Sequence, residues 1–549
     1  MLILFYSIIF FLILTKTFQN YGFSLKPSLG VMVFLFRYVQ DRILLDFLDL
    51  SVKLISFMKN QILTIFILII VLVSCKENTR VDKPNSGKIS TASFEPDWIA
   101  KVGAKAFQVK EKTYWVNDYG VKNDTTVLNT TAIQTAIDDC AKNGGGTVSF
   151  QPGVYLSGSI FVKEGVHLEI PKNVEIRGSE NIEDYPEIDT RIAGIEMKWP
   201  AALINVRNQK NVKIDGEGLV NGQGKVFWDY YWNLRKEYEP KGLRWIVDYD
   251  AKRPRTFLIA NSENVFLEDL NIQKAGFWTV QVLYSKYITV DGLTIRNNIG
   301  GHGPSTDGVD IDSSQWILVQ NCDIDCNDDN FCLKAGRDWD GQRVDRPTEY
   351  VVIRDCIARA GSGLFTIGSE TAGDVRHVYA SNIKGLGTKN GLNVKSAITR
   401  GGTVEDVYLE NIEMDSVRTF IEVSMNWNPS YSYSKLPEGY DIDSVPQRWR
   451  TLLKEVKPAS KGIPTFKDIS LHNINVRRAK RAINVNGLEN SYITNFNLKD
   501  VHIQAATAGQ INYSENWNLE NVSLKTEDNS KVKIEHSPGV KLPDSLYIQ

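Results

Sequence analysis

Nine stretches of this chain carry one short pattern: an alternating apolar strand, then Asn or Asp, closing on an aliphatic residue. They are 264–272, 287–295, 316–324, 350–358, 375–383, 404–412, 466–474, 493–501 and 514–522. Successive starts are 21 to 34 residues apart, except for a step of 62 from 404 to 466, which fits two repeats or one long insertion. In Val404-Glu405-Asp406-Val407-Tyr408-Leu409 charged and apolar positions interleave. Such a strand has one apolar face and cannot bury it alone, whereas stacked copies bury a continuous core. A leucine-rich repeat has a similar period but needs a leucine consensus that is missing, and a propeller blade needs about 40 residues. The pattern therefore predicts an all-β fold, a single-stranded right-handed parallel β-helix over residues 106–549.

The open end of such a stack must be covered, because bare strand edges recruit other chains. Asn129-Thr130 opens a helical pattern with Ala132, Ile133, Ala136, Ile137, Cys140 and Ala141 on one face, and Gly144-Gly145-Gly146 closes it. This is the expected N-terminal capping helix, followed by strands over 147–154 and 159–170. Two aromatic-rich insertions interrupt the repeat. Residues 226–250 carry Phe227, Trp228, Tyr230, Tyr231, Trp232, Tyr238, Trp245 and Tyr249, and residues 425–465 carry Trp427, Tyr431, Tyr433, Tyr440 and Trp449. Aromatic rings with polar edges suit sugar faces, although most of these are expected to pack the loops onto the coil.

Residues 1–75 have a different character. Met58-Lys59-Asn60, the apolar run 62–73 and Leu72-Val73-Ser74-Cys75 have the three parts of a secretory signal. The last four residues resemble a bacterial lipobox with Cys75 as the lipidated residue, and Cys75-Lys76-Glu77 resembles the export tag of Bacteroidetes surface lipoproteins. The expected organisation is an upstream extension over 1–57 arising from a start assigned too early, a lipoprotein signal over 58–75 and a flexible tether over 76–105. A membrane anchor within 1–57 is the alternative. On this reading the protein is a monomer, secreted across the inner membrane and held by lipid in the outer membrane or at the cell surface, or periplasmic; membrane contact is through the lipid only.

With 63 basic and 65 acidic residues the formal charge is −2, without the basic excess that a nucleic-acid partner would ask for. An acidic ligand would be held by local basic groups. The six cysteines, at 75, 140, 322, 326, 332 and 356, have no metal-ligand spacing with histidine. Cys322, Cys332 and Cys356 fall in strand-like segments and are expected in the core. No metal or other cofactor is implied.

The chemistry concentrates in Ser305-Thr306-Asp307-Gly308 and Cys326-Asn327-Asp328-Asp329. Asp307 and Asp328 are 21 residues apart, about one coil, so they should lie one strand spacing apart, about 4.8 Å. Crowded carboxylates cannot all ionise, and one is pushed to keep its proton near neutral pH. Glycoside hydrolysis needs such an acid beside an ionised partner. A calcium site would use the same residue types.

Ser-Thr-Asp-Gly, Asn-Asp-Asp, Gly361-Ser362-Gly363 and Gly391-Leu392-Asn393-Val394-Lys395 together resemble family 28 of the glycoside hydrolases, the polygalacturonases, over roughly residues 110–525. The resemblance implies a right-handed β-helix that cleaves pectin or a related uronic-acid polysaccharide with inversion. It implies Asp328 as general acid, Asp307 and Asp329 as the pair that activates water, and Lys395 as the grip on a substrate carboxylate. Two positions depart from the family. Ser362 stands where it has histidine, and Asn393 where it has arginine, which weakens the bidentate grip on a carboxylate. Lys334 and Arg337 are further candidates for substrate binding. Arg337, with Arg343 and Arg346 in the 336–347 insertion, is expected to replace the missing arginine. His302, between Gly301 and Gly303, precedes Asp307 and so is not the family's histidine, but it is a candidate to enter the cleft. The insertions could close one end of the groove, which favours exo cleavage. A polysaccharide lyase on the same fold and a non-catalytic glycan-binding β-helix are the competing readings.

Overall fold

The computed structural model describes residues 95–542 and the backbone of 547–548. Cys75, the signal and the upstream extension lie outside the described residues. The chain from Thr113 onward winds into a right-handed parallel β-helix with three strand faces per coil. One coil runs Gln315–Gln320, Asp323–Asp325, Asp329–Lys334; the next runs Thr348–Arg354, Ile357–Ala358, Gly363–Ile367. They stack in register, Ile317 on Val351, Ile324 on Ala358 and Phe331 on Phe365. The inward side chains of one such coil, Ile317, Val319, Ile324, Phe331 and Leu333, are all buried in one core. Each is worth about 1.5–3 kcal/mol in burial.

The Asn or Asp inside the repeated pattern is the corner between two faces. Asp269, Asn321, Asp355, Asn382, Asn411, Asn473, Asp500 and Asn521 all take left-handed backbone, with φ between 52° and 56°, a region that Asn and Asp tolerate better than other non-glycine residues. Their side chains stack from coil to coil, as where Asn473 donates to Asn411 at 2.7 Å. The repeat is thus legible because one backbone conformation recurs at every turn.

The capping helix is Thr130–Lys142, with Ile133, Ala136, Ile137 and Cys140 buried. Each of the two long strands expected after it is broken in two: Gly146–Ser149 and Gly153–Ser157, then Ile160–Val162 and Val166–Glu169. The step of 62 residues is one coil with an insertion, since Val404 pairs directly with Phe466. The tether expected through residue 105 is corrected at its end. Trp98 packs edge-on against Tyr350, and the backbone N–H groups of Gly103 and Ala104 bond to the Trp316 carbonyl and Thr289 Oγ1, so these residues lie along the coil.

The hairpin Glu187–Ile192 with Ile195–Pro200 and the two aromatic insertions build a second core. It holds Ile192, Trp199, Trp245, Tyr249, Phe277, Trp278, Val445 and Trp449. Trp449 donates to Asp250 and packs edge-on against Trp245, so the two insertions meet each other. They cover one stretch of the third strand face. The outward-facing row on that face reads Asn205, Leu258, Gln281, Asp310, Cys332, Thr366, Asn393, Glu422, Asn484, Gln510, one residue per coil. From Asn205 through Asn393 these residues are buried, and from Glu422 onward they are partly exposed. The face is roofed over its early coils and open over its later ones.

Candidate active site

The carboxylates lie at the start of the outward face. Val309 pairs with Phe331, so Asp307 and Asp329, each two residues earlier, occupy equivalent places one coil apart. Asp328 precedes Asp329 and is partly exposed. Carboxylate oxygens of Asp307, Asp328 and Asp329 lie within 4.8 Å of one another. Gly363 pairs with Asp329 in the next coil, and a Cβ there would sit 2.7 Å from Asp329 Oδ1; the bare glycine makes room for the carboxylate.

Two lysines divide this cluster electrically. Lys395 Nζ sits 2.8 Å from Asp329 Oδ2, and Thr366 Oγ1 donates to Asp329 Oδ1 at 2.9 Å. Burial raises the Asp329 pKa, but Lys395, Lys334 and the Thr366 bond outweigh it, so it falls below the usual carboxylate range. Asp328 goes the other way: burial first and the Asp329 charge second push it up. The pKa values of two adjacent carboxyls are thereby pushed apart, the arrangement an acid and a base require.

Asp310 adds a third feature. It faces the cluster from the strand Val309–Asp312, with its oxygens and those of Asp307 within 4.8 Å. Both Asp310 oxygens and Asp307 Oδ1 are buried without a hydrogen-bond donor. Burial drives Asp310 up to about 8, and burial with the Asp310 and Asp328 charges drives Asp307 well above its ordinary value. A proton held between Asp307 and Asp310 answers both. Lys334 Nζ stands 3.8 Å from Asp307, 3.5 Å from Asp310 and 3.4 Å from Glu370, over the Trp278 ring at 5.0 Å. Glu370, next to this lysine, is pulled down to about 2 in spite of its burial. The acidic oxygens offer ligands for a hard cation, but two ammonium groups already stand among them and supply positive charge there.

The other sequence candidates are distributed as follows. Ser362 is partly exposed, and its N–H donates to the Asp328 carbonyl at 2.8 Å. Asn393 is buried, with Nδ2 3.4 Å from Thr366 Oγ1. Trp427 is partly exposed under the Lys395 ammonium, 4.7 Å from ring centre to Nζ. His302 is exposed on its loop, where the Trp232 indole N–H holds its carbonyl.

The expectation for Arg337 is corrected. Its guanidinium is fully buried and bonds to Asp338, the Tyr249 hydroxyl and the carbonyls of Tyr431 and Ser432. It ties the two insertions together and, fully buried, presents no face to a sugar. Arg343 is spent on Glu196 and Asp340, and Arg346 lies over Tyr284. Cys332 is also corrected. It is buried, but it points outward between the core residues Phe331 and Leu333, with Sγ 3.8 Å from Asp329 Oδ2.

Sequence reasoning missed Asp310, Glu370 and the buried pair of Arg191 with Asp312 at 2.9 Å. The alternation Val309-Asp310-Ile311-Asp312 carried the signal for two of them: with valine and isoleucine inward, both aspartates must face the site. Nothing local marks Glu370 or Arg191.

Comparison with known proteins points to one family and one fold. The family model described as "Glycosyl hydrolases family 28" matches residues 152–448. The chain is similar to an exo-poly-alpha-D-galacturonosidase of Dickeya chrysanthemi, 25% identical over 59% of this chain and 59% of that protein. It is also similar to an endo-polygalacturonase of Pectobacterium carotovorum subsp. carotovorum, 26% identical over 78% of this chain and 96% of that one. Among solved structures, an exopolygalacturonase from Thermotoga maritima shares the fold with a TM-score of 0.65 at 23% identity, over 78% of this chain and 94% of that one.

Proposed function

The chain belongs to family 28 of the glycosyl hydrolases, and from that premise we propose that it removes sugars from the end of a pectin-like polyuronate by single displacement with inversion. The observation that carries this is the unequal setting of neighbouring Asp328 and Asp329: Lys395 and Thr366 bind Asp329 and lower its pKa, while burial and the Asp329 charge raise that of Asp328. Asp328 gives its proton to the glycosidic oxygen as the bond to the anomeric carbon breaks. Water adds to that carbon and passes a proton to ionised Asp329. Asp307, sharing a proton with Asp310, orients the water. Lys395 holds Asp329 ionised and keeps N–H donors for a substrate carboxylate, with the Trp427 ring beside it for a sugar face.

Exo action is supported by the outward row, buried through Asn393 and open only beyond it. Uronate as the sugar is supported by Lys395 and by the galacturonan-cleaving relatives, while Asn393 and Ser362 favour an unusual linkage or flanking sugar over plain homogalacturonan. Lipidation at Cys75 and residence in the cell envelope belong to the same proposal; the mass of the mature N-terminal peptide tests them.

A second reading, retention, is favoured by one distance. Carboxylate oxygens within 4.8 Å are closer than the about 6.5–9.5 Å of typical inverting pairs. Proton NMR of the first product formed from polygalacturonate or a branched pectin decides. The opposite anomer from the substrate supports inversion, the same anomer establishes retention, and an unsaturated product absorbing in the ultraviolet would overturn hydrolysis altogether.

A further inference from the structure

Beyond Asn393 the outward face is open, and register places a column of cations along its edge. Asp329 pairs with Gly363, Gly363 with Asn390, Asn390 with Thr419 and Thr419 with Arg481. The residues immediately before these are therefore stacked one per coil: Asp328, Ser362, Lys389, Arg418, Lys480. The last three are exposed and basic. They come from three separate stretches of sequence, and only the coil brings them into one line.

Several other exposed cations on these coils are neutralised, while Arg481, beside Lys480, forms no ion pair among the described residues and widens the column. Lys384 meets Glu413, and Arg477 and Arg478 share Asp415. Lys389, Arg418 and Lys480 form no ion pair among the described residues, and the one side-chain bond of the three is Arg418 to Asn390 Oδ1 at 3.4 Å. Lys389 is near enough to Asp328 to offset part of the rise in that carboxyl's pKa, so its charge reaches the acid. From Asp328 the three cations lie two, three and four strand spacings away, about 10, 14 and 19 Å. One strand spacing is close to the length that one sugar adds to an extended 1→4-linked chain.

We propose that Lys389, Arg418 and Lys480 form a rail that holds successive carboxylates of an extended polyuronate, which leaves the closed end of the cleft over the later coils. This rests on the functional reading above and specifies what the open half of the cleft binds: consecutive free uronates, not methyl esters or neutral sugars. Exposed charge pairs are individually weak and screened by salt. The rail therefore acts through repetition, adding affinity with each uronate that reaches it.

The test measures binding of galacturonate oligomers of increasing length by calorimetry, at low and moderate salt, to the full chain carrying Asp328→Asn, and to the same chain with Arg418→Gln and Lys480→Gln added. The expected result is an affinity that rises with length in the first protein and levels off early in the second, a loss of about tenfold for long oligomers, with a shallower salt dependence. Methyl-esterified oligomers should gain nothing from length in either. An undiminished gain with length in the substituted protein, an equal gain for methyl esters, or no binding of acidic oligomers would overturn the rail. Hydrolysis of polygalacturonate by the unaltered protein is scored separately. Length-dependent, salt-sensitive binding without hydrolysis would sink the functional reading and leave the rail; hydrolysis without the length effect would do the reverse.

Discussion

Replacing Lys395 by methionine keeps the length and the apolar stem of the side chain and deletes one charge, 2.8 Å from Asp329 Oδ2 in a buried site. At an effective dielectric near 20, two unit charges at that separation attract by about 6 kcal/mol. Lys334 remains as a second cation, and water can enter the vacated space, so the net loss is smaller. Breaking a buried pair costs about 3–5 kcal/mol. Taking the lower figure, at 1.36 kcal/mol per unit, the Asp329 pKa rises by about two units. The base form is the one lost as pH falls, so the acidic limb of the kcat/KM profile should move up by about two pH units. On the acidic limb, below the original pKa of Asp329, the rate should drop by about a hundredfold, and the loss should fade as pH rises past the shifted limb. Lys395→Arg, which keeps the charge, should hold the limb in place. The assay is reducing-sugar release across pH on whichever pectin is cleaved. An unmoved acidic limb with only KM raised would refute the reasoning, since Lys395 would then grip substrate alone and not set the base.

Asp310, raised to about 8 in the fold, contributes stability that is complete below its unfolded pKa, near 4, and is lost as pH climbs through 8. Asp310→Asn should therefore flatten the fall of Tm between pH 5 and 9, and a slope as steep as in the unaltered protein would remove the buried proton from the account. Asp328→Asn should lower kcat by about a hundred- to ten-thousandfold while oligomer binding, measured by calorimetry, persists. Arg337→Met, which leaves Asp338 to Arg400 and Thr399 but takes the donor from three other acceptors, should cost about 3 kcal/mol in denaturant unfolding, and a change confined to KM would restore its role as a substrate grip. His302→Ala should leave the pH–rate profile in place, and a shifted limb would bring that histidine into the cleft.

The site was legible where its residues are neighbours in sequence or one coil apart. Asp307, Asp328 and Asp329 could be placed together because a spacing of 21 residues matches one coil of a repeat whose steps begin at 21. Arg337 was misread because an arginine in a polar insertion looks the same whether it meets solvent or a folded loop; the Tyr249 hydroxyl and the Tyr431 carbonyl that claim it are 88 and 94 residues away. The insertions themselves carry no repeat, so their mutual packing through Trp245 and Trp449 left no periodic trace.

Sequence by itself determined the coil. Alternation set which side chains face in, the Asn or Asp at each corner set the turn, and the spacing set which aspartates stack. Tertiary structure alone decided how the identical carboxyls differ, because protonation depends on burial and on lysines brought in from other coils: Lys395 66 residues beyond Asp329, and Lys334 between Asp310 and Glu370. It also decided which half of the face is roofed and which carries unpaired cations, since long-range packing and register, unlike periodicity, are properties of the whole stack.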